Sequence, residues 1–381
     1  MDAAAVELFV LNFNGARLLA ECLPSIVCAA ARSRYPTCVT VVDNGSTDES
    51  LALLARDFPS VAVRLAPNDG LYSLNGAVAE SSAPVVVLLN NDIKLAVDAI
   101  DPLVEPLLHA GPRSRFTHVA ELEPIVFTAP RCFLFDERTH EGFQTSVRMH
   151  RGLVEATALF SGAEDVADAP GPTASVGAVL AVEKQTFVAL GGFDRLYLPG
   201  RIEDLDFCFR AFVAGGRGRY VPRSVAYHRG AASFGPAYGV AGCDRLALRN
   251  TILFQWKNLR SPRHRLAARR WWPIRAIRDL VNAPFVSAEQ RYPFVRAYRE
   301  AREVWRRSPP TPAAHSADRE HEFFERHAPE ALAAGASAGT DDLSAWRTEE
   351  ARRAANYPLS RHYLRPAAGR LAEIVSREGI I

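Results

Sequence analysis

Residues 85–95 read VVVLLNNDIKL: five consecutive apolar side chains, Val85 to Leu89, then Asn90, Asn91 and Asp92. An unbroken apolar run of this length, rich in valine, is the pattern of a strand buried on both faces, as in parallel sheets covered by helices. Such a strand has no solvated side on which carboxamides or a carboxylate would ordinarily sit. Their arrival together at its carboxyl end marks that end for chemistry, because ligands of open parallel sheets bind outside the carboxyl ends of the strands.

Upstream the pattern recurs three times. Residues 6–11 form a strand ending in Asn12-Phe13-Asn14-Gly15, followed by an apolar helical stretch over 16–31. Residues 39–42 form a second strand ending in Asp43-Asn44-Gly45. The next helix is predicted to start at a capping box, with Ser46 as N-cap and Glu49 three residues on. Residues 61–65 end in Asn68-Asp69-Gly70 and lead into a short helix over 75–81. Strand–helix alternation of this kind predicts an α/β fold with a mostly parallel central sheet and helices on both faces. Asn, Asp and Gly make turns in any protein. Four such clusters on one sheet edge also offer hydrogen bonds, charge and close backbone approach to a ligand.

Downstream, residues 113–175 are poorly patterned and read as an irregular insertion, with Pro-Gly-Pro at 170–172. Order returns with a strand over 177–182, a short helix to Leu190, and the turn Gly191-Gly192-Phe193-Asp194. RIEDLDFCFRAFVAGG (201–216) is a helix that buries Leu205, Phe209, Phe212 and Val213 and stops at Gly215-Gly216. Short strands over 219–221 and 225–227 lead to His228. From 245 to 307 the chain becomes helical and basic, with sixteen Arg and Lys against four acids and with Trp256, Trp271, Trp272 and Trp305 interleaved. The expected organisation is a catalytic domain over 1–244, a basic helical extension over 245–307, and a proline-rich linker with a C-terminal helical segment over 308–381.

The 381 residues, 48% hydrophobic and 23% charged with net charge +2, describe an ordinary globular protein. Six cysteines without a CxxC pair or metal-ligand spacing suggest buried, reduced thiols in a cytosolic setting. No basic region precedes the first apolar run, and no stretch approaches the ~18 apolar residues of a membrane span. The expectation is therefore a cytoplasmic protein, or one peripheral on the inner membrane face.

Asp92 suits a hard divalent cation, because Mg2+ usually takes only one or two carboxylates while substrate phosphates supply further ligands. Asn90 and Asn91 suit neutral hydrogen bonding to a sugar or ribose. Glu203, Asp204 and Asp206 crowd a helix start, where acids are favoured in any case. The Glu-Asp adjacency beside an apolar stripe goes beyond that preference. Asp206 and Arg210 are four apart and are expected to pair, which leaves Asp204 or Glu203 as general base. His228 becomes a metal or phosphate ligand only if the fold brings it within a few ångströms of Asp92.

Taken in chain order, the sequence resembles the family 2 glycosyltransferases, inverting nucleotide-sugar-dependent enzymes with a GT-A fold, and is most similar to their rhamnosyltransferase-like branch. The resemblance rests on VLNFNG (10–15), VVDNGSTD (41–48), NDGLYSLN (68–75), LLNND (88–92), GAVLAVEKQTFVALGGFD (177–194), EDLDFCFR (203–210) and His228. RNTILFQWKN (249–258) is similar to the family's segment after the catalytic domain. The resemblance implies a nucleotide-diphosphate-sugar donor, an acceptor hydroxyl on a cell-surface, lipid-linked or other glycoconjugate, and Mg2+ or Mn2+. It places Phe13, Asn14, Asp43 and Asn44 near the nucleotide, with Asp43 on the base, and Asn75 on the nucleotide-sugar. Asn90-Asn91-Asp92 takes the place of the DxD motif, with Asp92 as metal ligand and His228 as a second ligand. Asp204 is the implied base.

Three departures qualify it. Asn90 replaces the first DxD acid, Leu198-Pro199-Gly200-Arg201-Ile202 replaces an aromatic pair, and 113–175 is long. They leave open a nucleotide-sugar-binding protein that transfers weakly or not at all. A nucleotidyltransferase would need a glycine-rich basic loop after the first strand, where only Arg17 stands. The basic, Trp-bearing 245–307 region predicts either contact with an anionic membrane carrying a lipid-linked acceptor or helices packed on the catalytic domain with solvated arginines. No element for reading nucleic acid is present.

Overall fold

The computed structural model describes residues 4–108, 123–137, 140–142, 144–158, 167–229, 234–288, 291–310 and 315–332. Its first part alternates as β1 (Val6–Asn12), α1 (Ala16–Arg32), β2 (Thr37–Asp43), α2 (Ser50–Asp57), β3 (Ala62–Leu65), α3 (Ser73–Glu80) and β4 (Val85–Asn90). The four strands pair in parallel in the order β3-β2-β1-β4. There follow β5 (Ile93–Leu95), α4 (Ile100–Leu108), β6 (Ile125–Leu134), β7 (His140–Gly142), the hairpin β8 (Thr145–His150) and β9 (Leu153–Ala158), β10 (Gly171–Pro172), β11 (Val179–Glu183), α5 (Lys184–Ala189), α6 (Glu203–Val213) and β12 (Arg217–His228). All but the hairpin join one ten-stranded sheet, ordered β10-β12-β6-β11-β4-β1-β2-β3, with β5 on β12 and β7 on β6.

The strand that opened the reading sits between β1 and β11 and is buried on both faces. Val85, Val87 and Leu89 face one core with Leu19, Leu23 and Ile26 of α1 and Leu103 of α4. Val86 and Leu88 face the other, with Leu74 and Val78 of α3, Phe187 of α5 and Phe207 of α6. A period-two strand between two helix layers needs apolar residues at every position, which accounts for VVVLL. Each fully buried valine or leucine contributes about 1.5–3 kcal/mol.

Several expectations need correction. The described part of 113–175 is not irregular: it holds β6, β7, the β8–β9 hairpin and β10. Within it β6 is a ten-residue strand that pairs with both β11 and β12. Its side chains are buried on both sides, and Thr128, Pro130 and Arg131 break the apolar run that would otherwise mark such a strand. The helix expected to start at Ser46 begins at Ser50, and Ser50 N donates to Asp48 Oδ1, because Ser46 is already bound to Asp43. The two short strands before His228 are one strand, with an irregular register between Val221 and Val225. All six cysteines are free thiols, but Cys28 and Cys38 are exposed.

The remaining helices are α7 (Phe234–Asn258, kinked at Gly239), α8 (Pro262–Asn282), α9 (Pro293–Arg307) and α10 (Ala317–Arg326). The expected boundary at 244/245 therefore falls inside a helix. These helices share a third core with the β8–β9 hairpin and the outer side of α6, built from Phe209, Phe212, Phe254, Phe294 and Phe323. Trp272 and Trp305 pack on Trp256 at 6.2 and 5.6 Å between ring centroids, and all three lie partly buried against that core. Among the described residues no helix is long and apolar enough to cross a membrane. The C-terminal segment beyond 332 and part of the linker, 311–314, lie outside the described residues.

Candidate active site

The carboxyl ends of β1, β2 and β4 meet in a chain of polar contacts. Asn91 Nδ2 donates to Asn12 Oδ1 at 2.8 Å, and Asn12 Nδ2 donates to Asp43 Oδ2 at 2.8 Å. The Ser46 hydroxyl and backbone N–H close on the two Asp43 oxygens at 2.7 and 2.8 Å. Asn12, Asp43 and Asn91 are buried, so these bonds are the partners such groups require away from water. A Cβ at Gly15 would stand 2.1 Å from Asn91 Nδ2, so the glycine in NFNG makes room for this contact. Sequence reasoning placed Asp43 and Asn91 on the donor. The fold engages both in holding three strand ends together.

Asn75 is also engaged. Its Nδ2 donates to Phe193 O and its Oδ1 accepts from Phe193 N, both at 2.9 Å. It thus clamps the Gly191-Gly192-Phe193 turn onto α3. A Cβ at Gly192 would meet Asn75 Oδ1 at 2.4 Å, which explains the second glycine of that turn.

The other expected ligand groups have fewer partners or none. Asn90 is exposed at the tip of β4, and its side chain makes no hydrogen bond among the described residues. The Phe13 ring is 47% exposed at the tip of β1. Asn14 is exposed beside it, with a φ of 48° and Oδ1 accepting from Thr47 N at 2.7 Å. Asn44 donates to Gly70 O at 2.8 Å, while its Oδ1 is buried without a partner.

Asp92 lies just past β4 and is 4% exposed. Its Oδ2 stands 3.3 Å from His228 Nε2, and its Oδ1 is buried with no partner. On the far side of the ring, His228 Nδ1 is 2.5 Å from Glu141 Oε1. Burial pulls the His228 imidazole toward neutrality, but its hydrogen bonds to Asp92 and Glu141 outweigh this and raise its pKa to about 9. Glu141 also accepts from Cys132 Sγ at 3.1 Å. No sequence signal pointed to Glu141, which reaches His228 only because β7 and β12 both flank β6.

The acid pair arrives on the same edge from the opposite direction. Strand β11 runs antiparallel to β4 with Val179 opposite Leu89, so the residues before β11 continue alongside the polar tip of β4. There the Ser175 hydroxyl and Gly177 N–H donate to Asp204 Oδ2 at 2.8 and 3.3 Å. Beside it Glu203 Oε2 is buried without a partner. Burial, and then the charge of Asp204, push the Glu203 carboxyl up to about 8.

Behind this pair α6 carries a buried ionic cluster. Asp206 bonds Arg210 Nε at 2.7 Å, as the spacing predicted. It also accepts from the Tyr197 hydroxyl at 2.8 Å, Lys257 at 2.9 Å and Asn258 at 2.8 Å. Asn250 Nδ2 lies 2.8–2.9 Å from the carbonyls of Tyr197, Gly200 and Arg201. Arg249 adds a bond to Leu198 O. The segment 249–258 therefore ties down the loop that delivers Glu203 and Asp204. In that loop Arg201 and Ile202 hold φ of 78° and 72°, a conformation strained for a β-branched residue.

A mostly parallel sheet whose carboxyl edge gathers carboxamides, a buried aspartate–histidine pair and a second carboxylate has the GT-A architecture. Residues 8–114, which include Asp92, match the family model described as Glycosyl transferase family 2. A Drosophila melanogaster chain provisionally named polypeptide N-acetylgalactosaminyltransferase 10 is 22% identical over 205 residues, covering 50% of this chain and 30% of its own. The chain thus spans under a third of that relative. Among solved structures, GalNAc-T7 with UDP, GalNAc and Mn2+ aligns with a TM-score of 0.50 at 14% identity, over 85% of this chain and 56% of its own. A mannosyltransferase from Pyrobaculum calidifontis aligns at TM-score 0.43 and 16% identity, over 91% and 84% of the two chains.

Proposed function

We propose that this chain transfers a sugar from a nucleotide-diphosphate-sugar to an acceptor hydroxyl, inverting the anomeric carbon in one displacement. The observation that carries the reading is the convergence of Asp92 and Asp204 on one sheet edge from antiparallel neighbours, β4 and the approach to β11.

The residues fit a divalent cation. The orphaned Oδ1 of Asp92 is a buried carboxylate oxygen that a cation would satisfy, and His228 stands beside it. Among the described residues no group of three or more metal-ligating side chains exists. Donor phosphates would therefore complete the coordination, as is usual for Mg2+. A bound Mg2+ or Mn2+ would neutralise charge on the departing diphosphate.

The chain's own residues supply the rest. Asp204 takes the proton of the acceptor hydroxyl. Both contacts on this carboxylate fall on Oδ2, which leaves Oδ1 for the acceptor. Glu203, protonated at neutral pH, does not compete as base. Asn90 offers its free carboxamide to sugar or ribose hydroxyls, Phe13 a ring for the base, and the unpartnered Asn44 oxygen an acceptor for a donor N–H. The rhamnosyltransferase-like branch and a glycan or lipid-linked acceptor rest on sequence resemblance alone.

Metal-dependent turnover across a panel of nucleotide-sugars tests the reading. Asp204→Asn is expected to lower kcat by about 10²–10⁴-fold while calorimetry shows nucleoside diphosphate still binding. Full turnover in that variant overturns the base assignment. Nucleotide-sugar binding without turnover on any acceptor favours the second reading, a non-transferring binding protein, for which Asn90 in place of an acid is the motivating observation.

A further inference from the structure

Helix α8 has two apolar faces, and only one of them is covered. On the inner face His264 and Asp279 are buried, Trp272 Nε1 donates to Gly152 O at 2.8 Å, and Asp279 accepts from Val295 N at 2.9 Å. On the outer face Leu266, Ile274, Ile277, Leu280 and Val281 are 47–66% exposed, and Phe285, just beyond the helix, is 83% exposed. At 3.6 residues per turn the five helical positions fall within an arc of about 120°, opposite the packed side. A soluble helix ordinarily presents polar residues there.

The charges on this face are of one sign. Arg263 and Arg270 fall inside the apolar arc and Arg278 about 40° outside it, and none of the three forms an ion pair among the described residues. The helix carries one acid, Asp279, on the buried side. An apolar stripe studded with unpaired arginines matches the boundary of an anionic bilayer, where aliphatic side chains enter the acyl region and guanidinium groups meet headgroups. A second copy of this chain is the poorer occupant, because it would set arginines against arginines.

We infer that the outer face of α8, Leu266 to Phe285, is a docking surface for an anionic lipid membrane. The sequence suggested the whole 245–307 region and its tryptophans. The structure packs Trp256, Trp272 and Trp305, each partly buried, against the third core, and leaves the aliphatic face of one helix exposed. The inference stands apart from the sugar-transfer reading, because lipid binding is measured without donor or acceptor.

Co-sedimentation of the full chain with phosphatidylglycerol and with phosphatidylcholine vesicles tests it. At low salt the protein is expected to pellet with phosphatidylglycerol and far less with phosphatidylcholine. Each of Arg263→Gln, Arg270→Gln and Arg278→Gln should weaken binding by about fivefold, and Ile277→Asp with Leu280→Asp should abolish it. Circular dichroism melting checks that the variants fold, and the arginine series reports even if the aspartate pair does not. Three results overturn the inference: no binding of the wild type to phosphatidylglycerol at low salt, binding unchanged in the arginine series, or a dimer in analytical ultracentrifugation that Ile277→Asp with Leu280→Asp dissolves.

Discussion

His228 Nε2 lies 3.3 Å from Asp92 Oδ2, although the two residues belong to different ends of the chain fold. The cause is register. Strand β12 pairs antiparallel with β5, with His228 opposite Ile93, so the residue before Ile93 is the histidine's neighbour. A carboxylate on the far ring nitrogen then fixes the imidazole, as outer carboxylates commonly do for metal-ligating histidines. Glu141→Gln should weaken Mn2+ binding by about 10–100-fold with little change in melting temperature. Unchanged Mn2+ affinity in calorimetry would count against the role.

Glu203 makes stability depend on pH. Its carboxyl is raised from the ordinary 4.5 to about 8, by burial first and by Asp204 second. Between those values the folded chain holds a proton that the unfolded chain releases. Stability therefore falls as pH rises from about 4.5 through about 8 and levels off above. The melting temperature should follow this course in the wild type and more weakly in Glu203→Gln. Because Glu203 is neutral near pH 7, the variant should keep most of its turnover there.

The Asp206 cluster is a stability element. Asp206 is 0% exposed and Lys257 2%. Burial disfavours the Asp206 charge, but Arg210 and Lys257 outweigh it and hold the carboxyl below its usual value. Asp206→Ala leaves Lys257 with Asp194 as its remaining carboxylate and should cost about 3–5 kcal/mol. Urea unfolding would show this as a lower midpoint at unchanged slope.

Asn250 is expected to act on rate through the loop it holds. Asn250→Ala frees the carbonyls of Tyr197, Gly200 and Arg201 and lets the strained Ile202 relax. Since positioning errors of about 1 Å can cost up to about 100-fold, kcat should fall at least about tenfold while the nucleoside diphosphate dissociation constant stays put. An equal change in both would show that the loop serves binding instead.

Local pattern carried much of this protein. The two-faced apolar strand at 85–89, the polar strand tips, the acids opening α6 and the Asp206–Arg210 pair all depend on neighbours within a few residues, so the sequence by itself determined them. Strand β6 escaped because Thr128, Pro130 and Arg131 break its apolar run, and what allows the buried Thr128 and Arg131 lies elsewhere in the chain, at Leu103 O and Asp168. The tertiary structure alone decided which polar side chains are free. Asn75, Asn91 and Asp43 look like ligand groups in the sequence, yet each meets a partner from a distant element, while Asn90 meets none. It also decided that Glu141 backs His228, that Lys257 neutralises a buried aspartate, and that α8 leaves an apolar face uncovered. A hydrogen bond or an exposed face is a property of two surfaces meeting, and the second surface is written elsewhere in the chain.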